Sequence, residues 1–261
     1  MLSLKAASLS FGKRPLWHDL TLDVEAGEFI AVLGPNGTGK TSLLKAILGE
    51  QHLTSGSIEL LGAGAHAGNP RVGYVPQQKM IESGTPIRAR DLVAFGMNGT
   101  RWGLPISRRD ERARVDAALA AVGAQSYANA PVATLSGGEQ QRIRIGQAIV
   151  GDPALLLCDE PLLSLDLAHQ RGVSELIDEQ RKRLNTAVVF VTHDVNPILE
   201  MVDRVLYLAG GTFRIGTPDE VLRSDVLSEM YGTPVDVFRS RGRVVVVGGP
   251  EDHAHHHGEV A

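Results

Sequence analysis

Cysteine is almost missing from this sequence of 261 residues: Cys158 stands alone, so no internal disulfide can form. It falls in an apolar run, where packing is the ordinary reason for such a residue and redox sensing the rarer one. Long hydrophobic runs are missing as well. Residues 154–158 and 187–191 fall far short of the roughly 20 residues that a helical membrane span needs. The N-terminus shows no basic segment followed by an apolar stretch and a small-residue cleavage site, which argues against a secretory signal. Positive charge is not in excess. The 26 Lys and Arg stand against 30 Asp and Glu, for a formal net charge of -4. A global basic footprint for nucleic acid is thereby excluded. No internal repeat is visible. These absences predict a soluble, cytoplasmic chain that reaches a membrane only through partners.

What is present reads as strand alternating with helix. The length allows one large domain or two small ones and is enough to bury about three quarters of the unfolded surface. Leu2 and Leu4, then Leu20, Leu22 and Val24, read as short strands, and residues 29–33 as a buried one feeding a Gly-rich loop. Residues 41–48 read as a helix with Leu43, Leu44, Ile47 and Leu48 on one face and Gly49 as its stop. Residues 57–61 and 71–75 are further strands. From about 79 to 151 the chain is Ala- and Arg-rich, with Val115, Ala118, Leu119 and Val122 at helical spacing, which predicts an inserted helical subdomain. Strands return at 154–158, 187–191 and 205–208. This alternation argues an α/β fold with a mostly parallel sheet. Beyond Asp219 the pattern predicts one helix and then a Val-rich pair near 235–238 and 243–247. The expected division is one domain over residues 1–249 and a short, polar, His-rich, disordered tail over 250–261.

The chemistry-bearing motifs begin with Gly34, Pro35, Asn36, Gly37, Thr38, Gly39, Lys40 and Thr41, followed by Ser42. The stretch follows a strand and precedes a helix, the context that a phosphate-cradling loop requires. Glycines let successive backbone N–H groups curl toward the phosphates, and the helix N-terminus adds its dipole. Lys40 can reach the β- and γ-phosphates, and the Thr41 hydroxyl can ligate Mg²⁺. A Gly-rich turn with an incidental lysine is the bland alternative. Asp159 and Glu160 close an apolar strand, so Asp159 projects from the carboxyl edge of the sheet, where it can hold Mg²⁺ directly or through water. The bland alternative is a polar strand end before Pro161, but two adjacent carboxylates there are costly without a cation or partner.

Between loop and carboxylates stands Leu135-Ser136-Gly137-Gly138-Glu139-Gln140-Gln141-Arg142. Ser136 with Glu139 three residues on is a capping box, and a capped helix start preceded by small residues is also an anion site. The order of loop, LSGGEQQR and acidic strand end resembles the ATP-binding subunit of ABC (ATP-binding cassette) transporters, from about Leu4 to Val221. The resemblance implies a P-loop NTPase with a mainly parallel core sheet, N-terminal antiparallel strands and an inserted helical subdomain. It implies ATP and Mg²⁺ as cofactors and ATP hydrolysis coupled to transport as the activity. Glu160 would polarise the attacking water and His193, in Val191-Thr192-His193-Asp194, would contact the γ-phosphate. Gln77 would join Thr41 and Asp159 at the Mg²⁺, with Gln78 beside it leaving the register open by one. Phe11 would stack on adenine, its π-face serving where relatives often have Tyr. Ser136, Gly137, Gly138, Glu139 and Gln140 would meet the ATP bound by a second copy, so that a homodimer sandwiches the nucleotide. Ser164-Leu165-Asp166 matches the loop crossing between the two sites.

The resemblance also bears on cargo. A cassette without membrane spans is the usual importer layout, to be docked on integral permease subunits at the cytoplasmic face of the membrane. Residues 87–96 resemble the permease-docking segment of importers of metal ions and metal chelates. The run from Thr192 to Pro197, with residues 202–208, looks like zinc and manganese importer ATPases, though siderophore and cobalamin importers share the Asn after His-Asp. An extracytoplasmic metal-binding protein would deliver the cargo, and no nucleic acid is involved. His253, His255, His256 and His257 can ligate zinc, but ordering a loose tail costs entropy. A solvated tail or a purification remnant is the plainer reading, although Ala254 interrupts the run, unlike a normal tag. A soluble repair or ribosome ATPase would carry two cassettes or a long coiled-coil insertion, and neither is present. The reading is therefore the ATP-hydrolysing subunit of a zinc or manganese importer, with an iron–siderophore or cobalamin type as runner-up.

Overall fold

The computed structural model describes residues 1–12, 14–77, 87–98, 109–163 and 165–248. Parts of the expected helical insert, together with Gln78, Ser164 and the tail from Pro250 with its four histidines, lie outside the described residues. In chain order the elements are β1 (Leu2–Phe11), β2 (Arg14–Val24), β3 (Phe29–Leu33), α1 (Lys40–Ile47), β4 (Ser55–Leu60), β5 (Ala63–Gly64) and β6 (Val72–Val75). Helices α2 (Ala89–Asn98), α3 (Arg109–Ala121) and α4 (Gly137–Ile149) follow. Then come β7 (Leu155–Asp159), α5 (Leu167–Leu184), β8 (Ala187–Val191), β9 (Arg204–Ala209) and β10 (Thr212–Gly216). The chain ends in α6 (Pro218–Val221), α7 (Ser224–Tyr231), β11 (Val235–Ser240) and β12 (Arg243–Gly248).

The central sheet has the order β10-β9-β3-β8-β7-β6. Its pairings are parallel apart from β9 with β10. Buried parallel strands read as unbroken apolar runs, and β3, β7 and β8 are buried at every position. Their alternate residues feed two separate cores. Phe29, Ala31, Leu33, Cys158 and Phe190 pack on one face, among residues of α4 and α5. Ile30, Val32, Leu157 and Val189 pack on the other, with Leu43, Leu44 and Ile47 of α1 and the leucines of β1 and β2. That second layer is capped by an antiparallel sheet of order β2-β1-β4-β5. Cys158 is fully buried in β7, and burial pushes its thiol well above the ordinary range. Packing is what the structure supports for it.

Four features differ from the sequence reading. β1 runs ten residues instead of a few, because its alternation continues through Ala7 and Leu9 across register shifts. Helix α5 has no counterpart in the expected elements. It is strongly charged, and its core contacts are few: Val173, Leu176 and Ile177. The strand β10, which pairs antiparallel with β9 after a Gly210-Gly211 turn, was not anticipated either. The one helix expected beyond Asp219 is two. Thr217 and Glu220 form a capping box on α6, and the chain breaks at Leu222 before α7 begins.

Candidate functional site

The carboxyl ends of β3, β6, β7 and β8 converge on one edge of the sheet. The loop 34–39 joins β3 to α1. Gly34 has φ 137, and a Cβ there would overlap the Leu208 carbonyl oxygen, so only glycine fits. Lys40 opens α1 and is 6% exposed. Its Nζ donates to Gly34 O at 2.6 Å and to Pro35 O at 2.9 Å, which folds the ammonium back inside its own loop. No side chain caps α1. Its first amides are therefore not satisfied by a side-chain acceptor and can receive an anion.

The Thr41 hydroxyl donates to Asp159 Oδ1 at 3.2 Å, and the Tyr74 hydroxyl reaches Oδ2 at 3.5 Å. Asp159 is 2% exposed. Burial raises its carboxyl above the usual range and the Glu160 charge adds to this, while the bonds from Thr41 and Tyr74 and the charge of Lys40 pull it back. Tyr74 is pushed up to about 12 by burial and then by Asp159. A divalent cation beside Asp159 would remove the penalty on its charged form. Thr41, Asp159 and the Gln77 carbonyl are hard oxygen donors that suit Mg²⁺. The residues present thus fit Mg²⁺, whose contribution when bound would be charge neutralisation on the phosphates.

Glu160 follows in an uncommon backbone conformation, φ 48, with its N–H donating to Val191 O at 3.0 Å. Its carboxylate is held from two sides. Gln77 Nε2 donates to Oε2 at 2.8 Å, and His193 Nε2 lies 2.5 Å from Oε1. Residues distant in sequence, from the loops after β6, β7 and β8, are brought together here. Beside them opens a cavity of ≈ 360 Å³ lined by Phe11, Arg14, Leu16, Lys40, Thr41 and Glu160, among others; Asn36, Gly37, Gly39 and Ser42 also line it. Phe11 is 76% exposed at the end of β1, so core packing does not account for it.

Arg14, Leu16 and Tyr74 were missed by sequence reasoning. Arg14 and Leu16 reach the cavity only because β2 turns back on β1, pairing Arg14 with Phe11. Nothing in their spacing signals that. Tyr74, two residues before Pro76, stood beside a motif already singled out and could have been found from its register next to β7.

Ser136, Gly137, Gly138, Glu139 and Gln140 do not line this cavity. They start α4, where the Glu139 N–H donates to Ser136 Oγ and the Glu139 carboxylate accepts from the Ser136 N–H at 2.8 Å and hydroxyl at 2.7 Å. Ser136 is exposed, whereas Gln140 is buried with its amide donating to Leu135 O at 3.2 Å. A Cβ on Gly138 would sit 2.9 Å from the His169 ring, so this turn of α4 lies close against α5. His169 is in turn fixed by Asp166, the N-cap of α5.

With this geometry in view, comparisons with known proteins agree on one family. The family described as ABC transporter matches residues 17–163. The manganese transport system ATP-binding protein MntB of Bacillus subtilis is 33% identical over 88% of this chain and 91% of its own. The zinc import ATP-binding protein ZnuC of Halorhodospira halophila is 31% identical over 89% of this chain and 84% of its own. An sn-glycerol-3-phosphate import ATP-binding protein, UgpC 1 of Rhizobium johnstonii, is 30% identical over 89% of this chain and 63% of its own. Among solved structures, an inward-facing putative metal-chelate type ABC transporter aligns at TM-score 0.79 with 27% identity, over 94% of this chain and 95% of that one. A dimeric post-hydrolysis ATP-binding cassette bound to ADP and Pi aligns at 0.69 with 25% identity, over 83% and 98%.

Proposed function

Because this chain belongs to the ABC transporter family, we propose that it is the ATP-binding and ATP-hydrolysing subunit of an importer that takes up zinc or manganese through a membrane permease. It is an ATPase of that family. The observation that carries the hydrolytic reading is Glu160, gripped between Gln77 and His193 at the wall of the nucleotide cavity.

ATP lies with adenine against Phe11 and its phosphates over the loop 34–39, the amides of α1 and Lys40. Thr41, Asp159 and Gln77 would hold Mg²⁺, which would supply charge neutralisation on the phosphates. Glu160 orients a water and takes its proton as the water attacks the γ-phosphorus, while the bond from that phosphorus to the β–γ bridging oxygen breaks and ADP leaves with the electron pair. His193 donates to the γ-phosphate oxygen that gains charge in the transition state. The exposed Ser136 and the amides of Gly137 and Gly138 meet the γ-phosphate held by a second copy, so two chains close on two nucleotides. Domain boundaries follow the same reading, with the ATPase domain over residues 1–249, its helical insert at about 79–151 and the tail beyond. The dimer sits at the cytoplasmic face of the membrane, bound to permease subunits. Among the described residues no helix is long and apolar enough to cross a membrane.

The manganese and zinc relatives support the metal reading, while a glycerol-phosphate importer subunit is 30% identical as well. A metal-chelate importer is the second reading, favoured by the solved structure of that type. The test is deletion of the gene. Growth should fail under chelation and return with added zinc or manganese. Normal growth without either ion, with failure on a siderophore as sole iron source, would establish the second reading instead.

A further inference from the structure

The loop that carries His193 is built from its own side chains. Thr192 Oγ1 donates to Asp194 O at 2.9 Å and accepts from Asp194 N at 3.2 Å. Asp194 Oδ1 accepts from the backbone N–H of Asn196 at 2.9 Å and from its Nδ2 at 2.8 Å. The Asn196 amide then leaves the loop. Its Nδ2 also donates to Val244 O at 2.9 Å, and its Oδ1 accepts from Val244 N at 2.8 Å. The side chain thereby engages both backbone groups of one residue of β12, as a neighbouring strand would.

Val244 is the buried residue of β12, at 5% exposure, and joins the core that contains Val195 and Ile198. The hairpin of β11 and β12 is also anchored by α6, where Arg239 reaches Pro218 O and Asp219, and by α7. Ser224 Oγ accepts from Val237 N at 2.9 Å, and Ser228 Oγ accepts from Val235 N at 2.9 Å. A two-stranded hairpin is marginal on its own. Here it is gripped on one strand by α6 and α7 and on the other by the loop of His193, 48 residues away along the chain.

We propose that Asn196 is a positioning residue for His193, through which the C-terminal hairpin braces the loop that carries that imidazole. The inference rests on the role of His193 given above. It assigns β11 and β12 a part in turnover although neither strand lines the nucleotide cavity. Among the described residues, the loop without the Asn196 amide is tied to the hairpin by apolar contact alone. The imidazole then loses the fixed place from which it meets Glu160 and the phosphate.

The test is steady-state ATP hydrolysis by the purified full-length chain in four forms: parent, Asn196→Ala, His193→Ala and the double variant. A misplacement of about 1 Å can cost up to about a hundredfold in rate, so Asn196→Ala should lower kcat about tenfold or more with KM for ATP unchanged. In the His193→Ala background the same change should add nothing, because the group it positions is gone. Val244→Pro removes the N–H that Asn196 accepts and should reproduce the loss. A merely structural role would lower kcat by the same factor in both backgrounds, and that result would overturn the brace. So would a normal kcat in Asn196→Ala beside a disabled His193→Ala. An unchanged kcat in His193→Ala would overturn the role of His193 itself and this inference with it.

Discussion

His193 Nε2 stands 2.5 Å from Glu160 Oε1, and the opposite oxygen of the same carboxylate accepts from Gln77. The Glu160 side chain is only 12% exposed, while that of His193 is 40% exposed. The carboxylate is therefore fixed and the imidazole is the member able to swing. If nucleotide binds as proposed, its γ-phosphate would compete with Glu160 for the imidazole and so free a carboxylate oxygen for water.

Glu160→Gln should therefore bind ATP and fail to turn it over. Loss of a general base costs about 10²–10⁴ in rate. Gln keeps the size of the side chain, so sedimentation of this variant should show a monomer alone and a dimer with ATP and Mg²⁺. A monomer with ATP demonstrably bound would rule out the two-chain sandwich.

Lys40→Ala and His193→Ala should separate binding from chemistry. Lys40 is buried in the phosphate loop, so its loss should abolish turnover mainly by weakening nucleotide binding, read by fluorescence titration. His193→Ala should leave affinity nearly intact and lower kcat about a hundredfold, roughly 3 kcal/mol of transition-state stabilisation. Equal losses of affinity in the two variants would contradict these roles.

Asp159→Asn should stabilise the nucleotide-free protein while disabling it. Burial raises the Asp159 carboxyl, so the native state holds that proton more tightly than the unfolded chain. Stability tied to this group is then lost as pH rises from the unfolded range, near 3.9, through the higher native value. The variant should lack that fall, and above it should melt a few degrees higher, about 2–4 °C per kcal/mol for a chain of this size. A melting temperature below the parent at neutral pH would show that the carboxylate is satisfied as it stands.

Arg14→Ala should weaken ATP binding about tenfold, the equivalent of ~1.4 kcal/mol, and leave adenosine binding unchanged. Arg14 lines the cavity beside the loop, and its guanidinium lies 4.0 Å from where a Cβ on Gly37 would be. Isothermal titration with both ligands checks this. An equal loss for adenosine would place Arg14 at the base end of the site instead.

The site was more legible than the layers that hold it. Asp159 and Glu160 directly follow the apolar run 154–158, His193 stands two residues past the run 187–191, and Lys40 follows the run 29–33 across its Gly-rich loop, so the sheet edge that gathers them could be inferred once those short runs were read as strands. Phe11, Arg14 and Leu16 depend on a hairpin whose register shifts between Leu4 and Ser10, and no period of two survives that. Helix α5 hid for a related reason: it meets the core through few apolar residues, and its buried face also carries the Arg181–Asp178 ion pair, so the stripe is weak and looks like a loop. Asn196 was noticed only as part of a pattern around His193. Its bonds to Val244 span 48 residues, and sequence carries no local sign of them.

The positive φ of Glu160 resolves a problem of parity. Consecutive residues of a strand point to opposite faces, so had β7 continued, Asp159 and Glu160 would have served opposite sides of the sheet. One left-handed residue breaks the count. Asp159 keeps the strand's geometry and meets Thr41, while Glu160 is turned back over the same edge to meet Gln77 and His193. Two adjacent codons thus furnish two separately aimed acids, and a single torsion does the work of a further strand.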